Sequence, residues 1–162
     1  MTEAIQEENG KVQLEIRKGP DAVLSLGGLQ FVACRREVDT IDGGITLIVW
    51  SDPENSEDEA LELLRFDFFR NRPHYHSPAS NRSEIQIDPE QHGDGQVWGI
   101  DQLTTSAREL VAAAGFDQVA AKIEGSALAG GRIAMKTLFS ELAEPTEISY
   151  FEVDAKLLTG LR

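Results

Sequence analysis

The sequence predicts an α+β fold: an antiparallel β-sheet of about five to seven strands with about three C-terminal helices packed on one face. Two observations carry that prediction. Apolar residues come in short runs, several alternating with a period of two, as far as Ile100, and at helical spacing after Asp101. Strands come first and helices after, without the strand–helix alternation of a parallel sheet, so the helices are segregated on one side. The length of 162 residues, 41% hydrophobic and 27% charged, fits one ordinary globular domain. A chain of this size buries roughly 70% of its unfolded surface, so a structural metal or disulfide is not needed for folding. We assign residues 1–10 to a flexible N-terminal tail and 11–162 to a single α+β domain.

The elements follow in order. KVQLEIR (11–17) places Val12, Leu14 and Ile16 on one face and stops at the turn signal KGPD. AVLSL (22–26) ends at Gly27-Gly28, and LQFVACRREV (29–38) continues as a strand to the polar turn DTIDGG. ITLIVW (45–50) is a near-continuous apolar run, as expected of a strand buried on both faces. SDPENSEDE (51–59) begins an acidic stretch, with six acids between Asp52 and Glu62, and reads as a solvated loop. ALELLRFDFFR (60–70) is the next strand. SEIQID (83–88) and QVWGI (96–100) close the β-rich half, joined by PEQHGDG as a hairpin loop.

Leu103, Ala107, Leu110, Val111 and Ala114 then define a helix, with Asp101 as its N-cap and Gly115 as its stop. FDQVAAKI (116–123) is a second helix ended by Gly125. A third begins near Ser126 or Gly130-Gly131, carries Met135, Leu138, Phe139 and Leu142 on one face, and ends by Pro145. EISYFEV (147–153) is a final strand and AKLLTGLR a terminal turn or helix.

Charge and cysteine content narrow the function classes. A net charge of −13 opposes non-specific binding to nucleic acid or anionic lipid, so nucleic acid is not an expected partner. No apolar run approaches the roughly 18 residues of a membrane span, and the N-terminus MTEAIQEENGK lacks the features of a signal peptide. One cysteine, Cys34 in the apolar run FVAC, reads as a small buried residue of a reducing compartment. The expected location is the cytoplasm.

Against this acidic background, RFDFFRNRPHYHSP (65–78) holds three arginines, two of the three histidines and four aromatic rings. Strand alternation sends Leu64, Phe66 and Phe68 to the core and Arg65, Asp67 and Phe69 to the other face. Between Arg65 and Arg82 four arginines (Arg65, Arg70, Arg72, Arg82) and two histidines face one acid, Asp67. Such a local reversal of sign suits a small anionic ligand such as phosphate or carboxylate, and equally an intramolecular partner for the acidic 52–62 loop. His74 and His76 project to one side about 7 Å apart in an extended segment, a spacing that suits two ligands of a divalent ion, zinc or manganese. The third ligand would come from His92, Asp67, Asp88, Glu90 or Asp94. The same residues serve as acid–base groups without metal. Tyr75 should point the opposite way, into packing.

The string R-F-D-F-F-x-x-x-P-H-Y-H at 65–76 resembles the signature of an uncharacterised group of small prokaryotic proteins, a domain of unknown function. It is also similar, over the same dozen residues, to the R-x-D followed by H-x-H of TumE-like toxin ribonucleases. That second resemblance implies functional roles for Arg65, Asp67, His74 and His76.

Other motifs have structural explanations. EGSALAGGRIAMK (124–136) matches neither a phosphate-binding loop nor a dinucleotide fingerprint, and small residues for helix packing account for it. Thr104, Thr105 and Ser106 read as helix polarity, and Trp50 and Trp98 as core or interface rings. Two functions follow. One is a non-enzymatic ligand-binding or interaction protein, as a homodimer, with an Arg/His-rich surface site around 65–82. The alternative is a small metal-dependent or His-dependent hydrolase or ribonuclease, with catalytic candidates Asp67, His74 and His76.

Overall fold

The computed structural model describes residues 7–8, 10–52 and 59–155. Its fold is α+β. The strands are β1 (Glu7–Glu8), β2 (Lys11–Lys18), β3 (Ala22–Leu26), β4 (Leu29–Val38), β5 (Asp42–Ser51), β6 (Glu62–Phe69), β7 (His74–His76), β8 (Ile85–Gln86) and β9 (Glu147–Asp154). The helices are α1 (Pro89–His92), α2 (Gly95–Thr105), α3 (Ala107–Ala113), α4 (Asp117–Ala121), α5 (Gly125–Ala129) and α6 (Arg132–Ser140). Among the described residues nine strands form one sheet in the order β1-β2-β4-β5-β6-β7-β8, with β3 beside β4 and β9 beside β2. Every pairing is antiparallel. The count exceeds the expected five to seven because two-residue pairings at β1 and β8 extend the ladder.

Period-two alternation decides which face each strand buries. Leu29, Phe31 and Ala33 of β4, Ile45, Leu47 and Val49 of β5, and Leu64, Phe66 and Phe68 of β6 form the core face. Ile100, Leu103, Val111, Leu128, Met135 and Phe139 meet them from the helices. Each fully buried large apolar side chain contributes on the order of 2 kcal/mol. β5 is fully covered on the helix side but only partly on the other, where Thr46 is buried and Ile48 and Trp50 are half-buried. Val12, Leu14 and Ile16 form a second, smaller cluster with Val38, Ile41, Val153 and Ala155. Gly27 and Gly28, at φ 63° and 87°, make the two-residue turn between β3 and β4 that L side chains resist.

The helical half departs from expectation in its boundaries. QVWGI (96–100) is not a strand; it lies in α2. The helix starts at Asp94, whose carboxylate accepts from the backbone N–H of Val97 at 3.1 Å, so Asp101 is interior rather than the N-cap. The buried stripe Leu103–Ala107–Val111 extends back to Ile100, and a short apolar run alone could not separate helix from strand. Asp101 instead pairs with Arg132 of α6. PEQHGDG is not a hairpin loop but α1, with Pro89 in the first turn and Asp88 capping the Glu90 N–H at 2.9 Å. SEIQID pairs only at Ile85–Gln86.

Among the described residues six short helices replace the three expected. Ser106 interrupts the first between α2 and α3, and Gly130-Gly131 separates α5 from α6. A side chain at position 131 would collide with Leu26 of β3, so the glycine permits close approach of helix to sheet. Gly125 opens α5 rather than ending α4, whereas Gly115, at φ 103°, does follow the end of α3. α6 stops at Ser140, before Pro145. EISYFEV is strand β9, as expected. Of the tail, Glu7 and Glu8 pair with β2. Residues 1–6, most of the acidic stretch (53–58) and residues 156–162 lie outside the described residues. Among the described residues no helix is long and apolar enough to cross a membrane.

Candidate functional site

The β6–β7 hairpin places three side chains at one point on the face of the sheet opposite the core. Asp67 pairs across the ladder with His74, and Arg65 with His76. Cross-strand partners share a face, so the four side chains meet without any long-range coincidence. The two imidazoles stand edge to face with centroids 5.1 Å apart. His74 Nε2 lies 3.1 Å and His76 Nε2 3.7 Å from the same oxygen, Asp67 Oδ2. One ligand-type atom from each of Asp67, His74 and His76 lies within 4.8 Å of the other two. Tyr75 points the other way, stacking on Phe66 and tilting against Trp98.

Both rings are fixed from behind. His74 Nδ1 is 2.8 Å from the Arg72 carbonyl, and His76 Nδ1 is 2.7 Å from the Asn81 carbonyl. A carbonyl only accepts, so each Nδ1 carries the hydrogen and each Nε2 is left facing the carboxylate. This backbone anchoring is what orients metal-binding histidines in general. The loop that supplies Arg72 is itself pinned: buried Asp42 accepts from the backbone N–H groups of Asn71 and Arg72, each at 2.9 Å.

Asp67 is 2% exposed and fully engaged. Its Oδ1 accepts from Thr46 Oγ1 at 2.8 Å, and the Arg65 fork reaches both oxygens at 3.2 and 3.4 Å. Burial pushes its carboxyl up, but the His74 hydrogen bond, Arg65 and Thr46 outweigh it and hold it at about 2. Burial disfavours charge on His74, yet Asp67 and the Arg72 carbonyl raise its basicity above the usual histidine value. With a hydrogen on Nδ1, donation from Nε2 to Asp67 takes the protonated ring, the form that Asp67 favours. Glu84 sits behind, 3.6 Å from His74 Nδ1. Burial raises its carboxyl, and His74, Gln86 and Arg72 bring it below the usual glutamate range.

The chain belongs to a family of unknown function. The family description is Domain of unknown function (DUF7700), and its match covers residues 10–135, which include every residue of the cluster. No curated protein and no solved structure matches the chain.

The four arginines counted in the sequence do not converge. Arg65 lies on Asp67. Arg70 makes a two-pronged pair with Glu37 at 3.0 and 2.8 Å, and Arg72 pairs with Glu84 at 2.9 Å. Arg82 is exposed. Neither Glu37 nor Glu84 belongs to the acidic 52–62 stretch. Of the other third-ligand candidates, His92 lies tilted against Trp98 at 4.9 Å, and Asp88 and Asp94 cap α1 and α2. Cys34 is buried, and desolvation raises its thiol above the usual range, the behaviour of an inert core cysteine. Thr46, Asp42 and Glu84 were missed as supports of the cluster. Register alone brings Thr46 opposite Asp67 and Cys34, and no local pattern announces it.

Proposed function

We propose that this protein is a ligand-binding protein whose site takes a divalent first-row transition ion through Asp67, His74 and His76. One observation carries this reading: two histidines locked by their Nδ1 atoms aim both Nε2 atoms at a single carboxylate oxygen. Two imidazoles and one carboxylate favour zinc over manganese, because imidazole nitrogen is the softer donor. The ion would replace the proton now shared by His74 and Asp67, so uptake would release a proton. The test is metal content of protein purified without chelator, wild type beside His74→Ala/His76→Ala. About one zinc per chain in the wild type, lost in the double variant, supports the site; no zinc retained even after addition of zinc overturns it.

A metal-dependent hydrolase is the second reading. Three protein donors leave coordination positions free for water, as in catalytic zinc sites, and Arg65 stands beside them. The similarity to toxin ribonucleases makes RNA the first phosphodiester to try. Zinc-dependent cleavage that disappears with His76→Ala would establish turnover; zinc-loaded protein inactive on phosphodiesters and esters leaves ligand binding alone.

A further inference from the structure

Arg36 comes from β4, two strands from Asp67, and shares the face of Cys34 and the histidine cluster. It pairs across the ladder with Gly44, whose missing side chain leaves the guanidinium free to lie over β5 toward Asp67 and Arg65. It is half-buried. Among the described residues no hydrogen bond or ion pair satisfies its side chain, whereas Arg65, Arg70 and Arg72 each hold a carboxylate. Lys18, its other cross-strand neighbour, is taken by Asp21 at 2.8 Å.

An unpaired guanidinium in this position is electrostatically costly. Burial, and then Arg65, lower its affinity for its proton, and Asp67 only partly offsets them. Asp67 is already shared with Arg65, Thr46 and His74. A protein with net charge −13 could have matched this arginine with an acid, as it does at Glu37, Glu84 and Glu144. The acids of this face are already engaged, Asp67 by Arg65, Thr46 and His74 and Asp42 by the Asn71 and Arg72 N–H groups. A divalent ion at the cluster would add to the same imbalance, setting one carboxylate against two guanidiniums and a dication.

We propose that the guanidiniums of Arg36 and Arg65 receive a small oxyanion, a phosphate or a carboxylate, over the Asp67–His74–His76 cluster. Arg65 keeps its Nε and Nη2 on Asp67 and has its Nη1 to spare; Arg36 has its whole fork. Where the metal reading holds, the same anion reaches the open coordination positions of the ion, so this inference deepens that reading. The arginine pair does not depend on it.

The test uses full-length wild type, Arg36→Gln and Arg36→Lys, each with and without cobalt(II), titrated with inorganic phosphate and separately with acetate. Calorimetry reads affinity, and thermal melting reads stability. Wild type should bind one anion per chain and melt higher with it. Arg36→Gln should bind at least about tenfold more weakly, the loss of one charge-assisted contact. It should hold metal as the wild type does. Without anion it should melt at or above the wild-type temperature, because an unpaired half-buried charge is gone; a merely structural arginine would leave the variant less stable. Arg36→Lys keeps charge but not the fork, and should fall between. Tighter binding of phosphate or of acetate identifies the ligand class. Wild type that binds neither anion, or Arg36→Gln that binds both as tightly, overturns the proposal. Metal content, measured on the same samples, judges the metal reading separately: protein without metal that still binds phosphate through Arg36 sinks the metal alone.

Discussion

Asp67→Asn keeps the shape of a side chain that is 2% exposed and removes its charge. The wild-type carboxyl sits at about 2 in the folded protein against an ordinary 3.8. That difference corresponds to roughly 2 kcal/mol of stability at neutral pH. The folded value lies below the unfolded one, so this stability is present above 3.8 and drains as pH falls through about 2. By pH 3, about 1 kcal/mol of it is gone. Asparagine can still accept from Thr46, but it neither titrates nor balances Arg65 and His74.

In metal-free protein the variant should therefore be less stable than wild type by about 2 kcal/mol at pH 5. The gap should narrow by about 1 kcal/mol on going to pH 3, as the wild-type carboxylate begins to lose its advantage. Urea unfolding followed by the fluorescence of Trp50 and Trp98 reads both numbers. A gap that stays constant between pH 5 and 3, or a variant as stable as wild type at pH 5, would show that the carboxylate is not held ionised by this network.

The remaining expectations concern the supports of the cluster and its surroundings. Asp42→Ala strips the acceptor from the Asn71 and Arg72 N–H groups. It should cost about 2 kcal/mol in urea unfolding and weaken zinc uptake, since the Arg72 carbonyl would no longer hold His74 in place. Thr46→Val removes one donor from Asp67; zinc affinity by competition with a chelator should fall about tenfold, with the fold intact by circular dichroism. Arg70→Ala breaks an exposed pair with Glu37 and should change stability by no more than about 0.5 kcal/mol, leaving metal and anion binding unchanged in the same assays. Gly99→Ala drives a methyl group into the Phe68 ring where α2 lies on β6, and should lower stability by about 1–3 kcal/mol in thermal or urea unfolding.

What the sequence could and could not announce follows from the range of the interactions. Asp67, His74 and His76 lie within ten residues on two strands of one hairpin, so period-two alternation suffices to put them on one face. The short ladder then brings the rings to 5.1 Å, closer than the roughly 7 Å of successive same-side positions on an extended strand. Helix boundaries were less legible because Asp94 and Asp101 are equally good capping residues; only the burial of Ile100 one turn before Leu103 decides between them. Apart from Arg65, two residues from Asp67 on the same face of one strand, arginine partners were not legible. A long, flexible cation selects its acid by register, and Glu37 and Glu84 are 33 and 12 residues from the arginines they hold.

Locality also separates the two halves of the candidate site physically. The donor triad belongs to the β6–β7 hairpin and the loops that anchor it, so its geometry depends on a few short-range hydrogen bonds. Arg36 arrives through the β4–β5–β6 ladder, and its position depends on the whole centre of the sheet being formed. Nothing about folding requires a half-buried guanidinium there: Cys34, its neighbour on the same face, is apolar, and so are Val38 and Ile16 at the next positions. An apolar residue at 36 would have continued that surface and avoided the repulsion from Arg65. The charge runs against the local packing at the point where the histidines and the carboxylate converge, which is where an uncompensated cation is explained by what it binds.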